Sequence, residues 1–289
     1  MDFIVMALVL GSAALHPFRD LLIKGQRFPE SAYLGVTGSW VIFATLQAAW
    51  LDQTLTLPIA VWPLVAASAL GLFIYYLCVM LTLKAGDLSI YYPIIRSSPL
   101  AIVVIGYIFL ERYYSPLTLV GISLTLLGAI MIQYRRGAGL LQRPTLILTA
   151  TTAMVGSAIY GLADSMAMET ITPAPFLFWV YSVLTLGFLA FFTLTRPVQR
   201  PLTTQLFGCW RKAPLHVLAS GALSYASYVL ILFAFQAGGE VAVVSATRQV
   251  SIPISVLLGA LVLKEQRLLP RLAWSLLLAS GVALIIVGG

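Results

Sequence analysis

KAGDLSIYYPIIRSSP, residues 84–99, and QAGGEVAVVSATRQVS, residues 236–251, decide how this chain is read. Laid side by side they match Ala85 and Gly86 with Ala237 and Gly238, and Arg96 with Arg248. Each places one arginine in a run that otherwise reads as lipid-soluble: Tyr91 and Tyr92 precede Arg96, and an apolar run from Leu100 to Leu110 comes after it. The correspondence extends outward. FLERYYSP (109–116) faces LKEQRLLP (263–270) after a two-residue insertion, aligning Glu111 with Glu265 and Pro116 with Pro270. GSAALHPFRD from Gly11 faces GSAIYGLADS from Gly156, which sets Arg19 opposite Asp164. Because the matches keep their order along the chain, they predict a duplicated unit.

The chain is 60% hydrophobic and 9% charged, against about 45–50% and about 25% for a soluble domain. Hydropathy this high over 289 residues exceeds what one globular core can bury. A spanning helix needs about 20 apolar residues, and ten segments qualify, near 2–23, 31–51, 61–83, 88–110, 116–134, 144–168, 174–195, 214–236, 241–263 and 270–288. The expectation is an all-α membrane protein of ten transmembrane helices built from two inverted five-helix repeats, 1–136 and 144–289, joined by a loop at 137–143. The inversion follows from the odd number: a unit that crosses five times leaves its copy upside down, with the pseudo-two-fold axis in the membrane plane. The opening MDFIV lacks a basic n-region, so the first segment reads as a retained helix rather than a cleaved signal.

Charge placement predicts orientation. Of 17 Lys and Arg, thirteen fall at the odd-numbered connections (Lys24, Arg27, Lys84, Arg135, Arg136, Arg143, Arg196, Arg200, Arg211, Lys212, Lys264, Arg267, Arg271), and Arg112 alone at an even one. Basic residues are retained in the cytoplasm, so the odd connections are expected inside and both termini outside a cell inner (plasma) membrane. Asp2, Asp52, Glu111, Glu169 and Glu240 would then lie at the outer surface. The net charge of +7 is spread over helix ends with no basic face, which argues against nucleic acid as a partner. Cys78 and Cys209, with His16 and His216 as the only histidines, supply neither a disulfide framework nor metal-ligand spacing, so no metal or cofactor is expected.

Arg96 lies about nine residues into its helix and Arg248 about eight, so at about 1.5 Å per residue each is roughly 12 Å from its helix start, near the middle of a core about 30 Å thick. A central arginine costs about 2.5–3.5 kcal/mol, so each is expected to have a partner. Internal pairing with Asp20 or Asp164 is one answer. Those two carboxylates face three cations, Arg19, Arg96 and Arg248, and the surplus favours an anionic or zwitterionic ligand, which the planar guanidinium grips with paired hydrogen bonds. Polar residues at helical spacing extend the candidate site: Tyr92 beside Arg96, Tyr76 in the third segment, Tyr160 and Asp164 in the sixth, Tyr225 and Tyr228 in the eighth, and Ser245 beside Arg248. Asp164, a buried carboxylate, and His16, whose imidazole carries a proton near neutral pH, are the candidates for coupling. Gly11, Gly121, Gly128, Gly156 and Gly161 are read as sites of close helix approach, and Pro99 and Pro253 as kinks beside the arginines.

Ten helices in two five-helix repeats, the Glu and Pro of FLERYYSP and LKEQRLLP, and the Gly-rich GISLTLLGAIMI and ASGVALIIVGG resemble the EamA-type members of the drug/metabolite transporter superfamily over essentially the whole chain. The resemblance implies an exporter or exchanger of small metabolites, with helices 1, 3, 4, 6, 8 and 9 around a central cavity and helices 5 and 10 as scaffold. The family is drawn with both termini in the cytoplasm and a basic second connection, whereas WLDQTLTLPIA here carries neither Lys nor Arg. The expected function is alternating-access transport of an amino acid, carboxylate, phosphorylated or phosphonate compound by a monomer or homodimer. The alternative is a flippase for a phosphate-headed polyprenyl lipid, which would use the same arginines. A membrane enzyme is disfavoured by the lack of paired carboxylates or of a nucleophile with a base at workable spacing. From the charge count, a reporter fused after Gly289 should read as external; a cytoplasmic signal would overturn that orientation.

Overall fold

The computed structural model describes residues 2–23, 29–85, 88–133, 144–195, 201–254, 257 and 268–288, and among these there is helix and no strand. In chain order the helices are α1 (Phe3–Ile23), α2 (Pro29–Trp50), α3 (Trp62–Ala85), α4 (Leu88–Arg96), α5 (Ser98–Phe109), α6 (Pro116–Gln133), α7 (Pro144–Ala167), α8 (Pro173–Leu194), α9 (Leu202–Lys212), α10 (Pro214–Gln236), α11 (Val241–Thr247) and α12 (Leu268–Gly288). Single 3-10 turns occupy Ile59–Val61 and Arg248–Val250. Proline opens α2, α6, α7, α8 and α10, where its fixed φ suits the first turn and its missing N–H is not needed.

Among the described residues, five helices are long and apolar enough to cross a membrane: Glu30–Trp50, Ile59–Thr82, Pro144–Ala167, Pro173–Leu194 and Pro214–Gln236. Shorter apolar helices run over Phe3–Leu15, Ser98–Phe109, Pro116–Ile132, Val241–Ile254 and Ala273–Gly288. The outside of the bundle is as apolar as its inside, with Leu148 69% and Leu276 73% exposed. In water such a surface would aggregate, whereas lipid tails cover it without penalty. The chain is therefore built as a helical membrane protein. Helix α9 is the exception: it is polar on one side, ends in Arg211 and Lys212, and lies between the apolar segments 174–195 and 214–236.

The most extensive helix pairs are α6 with α12, α3 with α7, α1 with α10 and α2 with α8. Glycine sets two of these distances. A Cβ on Gly71 would sit 2.7 Å from the Gly156 carbonyl oxygen, and one on Gly156 2.8 Å from that of Gly71. Likewise a Cβ on Gly121 would be 2.8 Å from the Gly281 oxygen, and one on Gly281 2.7 Å from the Gly121 oxygen. Gly128 meets Leu278 as closely, at 2.7 Å. Gly11 and Gly161 depart from the expectation of close approach: the nearest atoms to an added Cβ are at 3.5 and 3.8 Å, ordinary contacts. In α1 and α10 the small residue is serine, Ser227 donating to the Ser12 carbonyl at 2.9 Å while the two hydroxyls meet at 3.0 Å.

The connections sort to two ends. At one, Thr172 donates to Gln53 (3.1 Å), Trp179 Nε1 to the Leu55 carbonyl (2.7 Å) and Gln236 Nε2 to the Ile171 carbonyl (3.0 Å), joining the α2–α3, α7–α8 and α10–α11 connections. Arg112, between α5 and α6, pairs with Glu240 at 3.6 Å, and the Tyr114 hydroxyl donates to the same carboxylate at 3.0 Å. Burial, then the Glu240 carboxylate, holds the Tyr114 phenol above the usual tyrosine range, so it remains a donor. Glu240 also caps α11 by accepting from the Val243 N–H at 3.0 Å. The far end of α12 arrives here too, its Gly288 carbonyl accepting from Ser115 at 2.8 Å. At the opposite end α9 packs on the start of α2, with the Cys209 N–H donating to Ser31 at 2.8 Å.

Replacing Gly121 with alanine should lower the thermal midpoint in detergent, because overpacking against the Gly281 carbonyl costs about 1–3 kcal/mol while the helix-propensity gain is about 1 kcal/mol. Gly38→Ala, where an added Cβ meets nothing within 4 Å, should hold or raise the midpoint. Equal midpoints for the two variants would contradict the close α6–α12 packing.

Candidate functional site

Two helices lose their regular α-helical pattern where their arginines sit. Pro99 cannot donate to the Ile95 carbonyl, so α4 stops at Arg96 and α5 starts at Ser98. Ser97 bridges the gap: its N–H donates to Ile94 and its hydroxyl to the Pro93 carbonyl, at 3.0 and 2.8 Å. In the second half Pro253 cannot donate to the Gln249 carbonyl, and α11 tightens into the 3-10 turn Arg248–Val250, where Gln249 Nε2 returns to the Ser245 carbonyl at 3.3 Å. The backbone therefore departs from α-helical geometry beside both arginines, at the positions where kinks were expected.

The two breaks face one central cavity of about 90 Å³, counted as space open to the centres of water molecules. One water needs about 10–15 Å³ on that measure, so the cavity admits several waters or one small solute. Arg96, Arg248, Tyr76, Tyr160, Tyr228 and Ser245, all candidates from the sequence, line it. Tyr76 and Tyr228 stand in the same register as Arg96 and Arg248, so the alignment pairs a tyrosine with a tyrosine as well as an arginine with an arginine.

Two candidates lie off the wall. Asp164 is 1% exposed and sits behind Tyr228, whose hydroxyl donates to its Oδ2; its Oδ1 makes no hydrogen bond. Tyr225 packs on Trp40 and Phe43 and donates to Gln47 Oε1 at 2.5 Å. The side chains of His16, Arg19 and Tyr92 lie outside the described residues.

Sequence reasoning missed Trp40 and Tyr181, which close the cavity on a further side. Their rings stack at 4.0 Å between α2 and α8, and Trp40 Nε1 donates to Ser224 at 2.9 Å. The wall thus takes residues from α2 and α8, the second and seventh of the ten apolar segments, in addition to the set implied by the family resemblance; the side chains of α1 from His16 onward lie outside the described residues. Neither α6 nor α12 lines it, as a scaffold role would have it. Trp40 and Tyr181 stand in apolar runs with no charged residue at helical spacing to mark them as lining rather than packing.

The rings form a connected path. Trp40 meets Tyr228 at 5.7 Å, Tyr228 meets Tyr160 at 6.2 Å, Tyr160 meets Tyr75 at 5.9 Å and Tyr75 meets Tyr76 at 5.3 Å. The Arg248 guanidinium carbon lies 5.5 Å from the Tyr228 ring centre, within cation–π range, and its buried Nε makes no hydrogen bond. Tyr228 therefore stands between an ionisable carboxyl and a cation, its hydroxyl on Asp164 and its face under Arg248. Breaking that hydrogen bond with Tyr228→Phe should cost about 1–3 kcal/mol by stranding a buried carboxylate. A double-mutant cycle with Asp164→Asn, read by unfolding in mixed micelles, should show a coupling of about 1–2 kcal/mol; strict additivity would deny the link.

No family model matches the chain, and no curated protein matches it. Among solved structures 28 chains do. One, described only as "Crystal structure of protein", superposes with a TM-score of 0.77 over 98% of each chain at 16% identity. At that identity the likeness is one of fold.

Proposed function

We propose that this protein is a secondary transporter that moves a small anionic or zwitterionic metabolite by alternating access, as an exporter or exchanger of the EamA type. The observation that carries the reading is the pair of aligned arginines, each at a break in its helix, that share one cavity inside an apolar bundle. Two such residues cost about 5–7 kcal/mol together, comparable to the whole net stability of a domain at about 5–15 kcal/mol. An anion between them could take charge-assisted hydrogen bonds from both guanidinium groups, a use that a purely structural bundle would not have.

The transport architecture is ten spans in two inverted five-helix units, with α4 and α5 forming one span and α11 beginning another. Helix pairing supports this. Under an inverted duplication α6 pairs with its own copy α12 and α2 with α8, while α3–α7 and α1–α10 exchange places, and these are the four dominant contacts. The gathering of the α2–α3, α5–α6, α7–α8 and α10–α11 connections at one end agrees with alternate crossings. The basic end, with Arg211 and Lys212 of α9, faces the cytoplasm of an inner membrane in this reading, and the Glu240 end with both termini faces out. A cavity of about 90 Å³ favours a small solute over a polyprenyl lipid. Asp164, held through Tyr228, is the residue through which a proton would be coupled to occupancy of the arginines.

In proteoliposomes, Arg96→Ala and Arg248→Ala should each reduce anion flux at least ~10-fold, the loss of one charge-assisted hydrogen-bond pair of about 1.5–3 kcal/mol, while the protein remains monodisperse. Lysine at either position should rescue only partly, because it loses the planar fork. Parental flux in both alanine variants would overturn the proposal.

A further inference from the structure

We infer that α9, with the basic stretch 196–213 that carries it, forms a membrane-surface site for acidic phospholipid headgroups. The inference concerns the lipid beside the bundle and does not depend on which solute the cavity takes.

The stretch carries Arg196, Arg200, Arg211 and Lys212, and no Asp or Glu stands in the sequence between Glu169 and Glu240. A cluster of this size beside a span attracts anionic lipid. The described helices that pack most on α9 are α2, α8 and α10, and the one acidic residue they contain is Glu30, in the first turn of α2. Glu30 is 6% exposed, whereas Arg211 and Lys212 are both exposed, so the charge that α9 presents outward is positive.

The helix leans on the bundle by one face. Leu206 and Cys209 are buried, the Cys209 N–H donates to Ser31, and Trp210 packs with Ala32 and Val217. On the other face Thr203, Phe207 and Arg211 recur at a spacing of four and are exposed, Phe207 by 52%. An outward ring one turn from a cation gains nothing in water. At the headgroup boundary the ring enters the acyl region while the guanidinium stays among the phosphates. The depth agrees: α8 ends at Leu194 and α10 opens with Pro214 and Leu215, and these two leucines are 85% and 76% exposed. Lipid tails therefore reach the helix ends on both sides of α9, which places its outward face at the edge of the hydrocarbon.

The test uses the full chain, delipidated in detergent and offered equal amounts of phosphatidylglycerol and phosphatidylcholine with identical tails, the lipid that co-elutes on gel filtration being counted by mass spectrometry. The parent should retain phosphatidylglycerol in preference, and raising the salt from ~0.05 to ~0.5 M should weaken that preference. Arg211→Gln together with Lys212→Gln should lower it at least ~5-fold, the scale of a cation at an acidic surface, and Arg211→Gln alone should lower it in the same direction. Phe207→Ser should weaken retention of both lipids and keep the preference between them. Lys264→Gln with Arg267→Gln, which removes two cations from another odd-numbered connection, should leave most of the preference in place. A parent without preference, a preference indifferent to salt, or one unchanged in the Arg211 and Lys212 variants would overturn the inference. Equal losses in the two double variants would assign the effect to the whole basic end and refute a site at α9. Displacement of the lipid by an equal concentration of glycerol 3-phosphate would refute the membrane-surface assignment, because a headgroup alone would then suffice.

Discussion

Inside an apolar bundle the backbone must satisfy its own N–H and C=O groups, because no water stands ready to replace a lost helical hydrogen bond. Most of this chain obeys by running in unbroken helices. The departures at Ser97 and Arg248–Val250 lie beside the cavity wall, and each is repaired locally, by the Ser97 hydroxyl on the Pro93 carbonyl in one case and by a 3-10 turn in the other. The arginines sit at those departures. A helix end also orients backbone dipoles, so the break that costs a hydrogen bond gives the cavity a polar wall that a continuous helix would lack.

Packing holds the wall in place. Gly71 against Gly156 and Gly121 against Gly281 bring their helices to backbone contact, which fixes α3 on α7 and α6 on α12 with little freedom to slide. Where glycine draws helices together the bundle is solid. Where Trp40, Tyr75, Tyr160, Tyr181 and Tyr228 replace small residues, their volume props the helices apart, and the space left between the rings is the cavity. Tyr228 does both jobs, closing the wall with its ring and tying α10 to Asp164 of α7 with its hydroxyl.

The capped end is stabilised differently. Helices α2, α5 and α10 finish with a left-handed residue, at Asp52, Glu111 and Gly238, and the next N–H returns to the last turn from Gln53, Arg112 and Gly239. Two of these residues are not glycine and carry the strain of a positive φ, which side-chain and backbone bonds across the connections hold in place. Glu240 gathers the ends of both broken helices into one contact, through the α11 cap and through Arg112 and Tyr114.

Much was legible in the sequence because it depends on hydropathy and on local chemistry. The apolar helices, the breaks at Pro99 and Pro253, the two arginines and the Tyr76, Tyr160 and Tyr228 hydroxyls could be named from the chain alone, since a charge or a proline in a lipid-soluble run has few explanations. Helix α9 was hidden because eleven residues of mixed polarity have no span-length signal. Trp40 and Tyr181 were hidden for another reason: tryptophan and tyrosine serve interfacial belts, packing and cavity walls alike, so their role depends on their neighbours. The sequence by itself determined which residues are too polar to face lipid. Only the tertiary structure decided which of them share a cavity and which, like Asp164 and Tyr225, lie behind it, because that depends on distances between helices far apart in the chain.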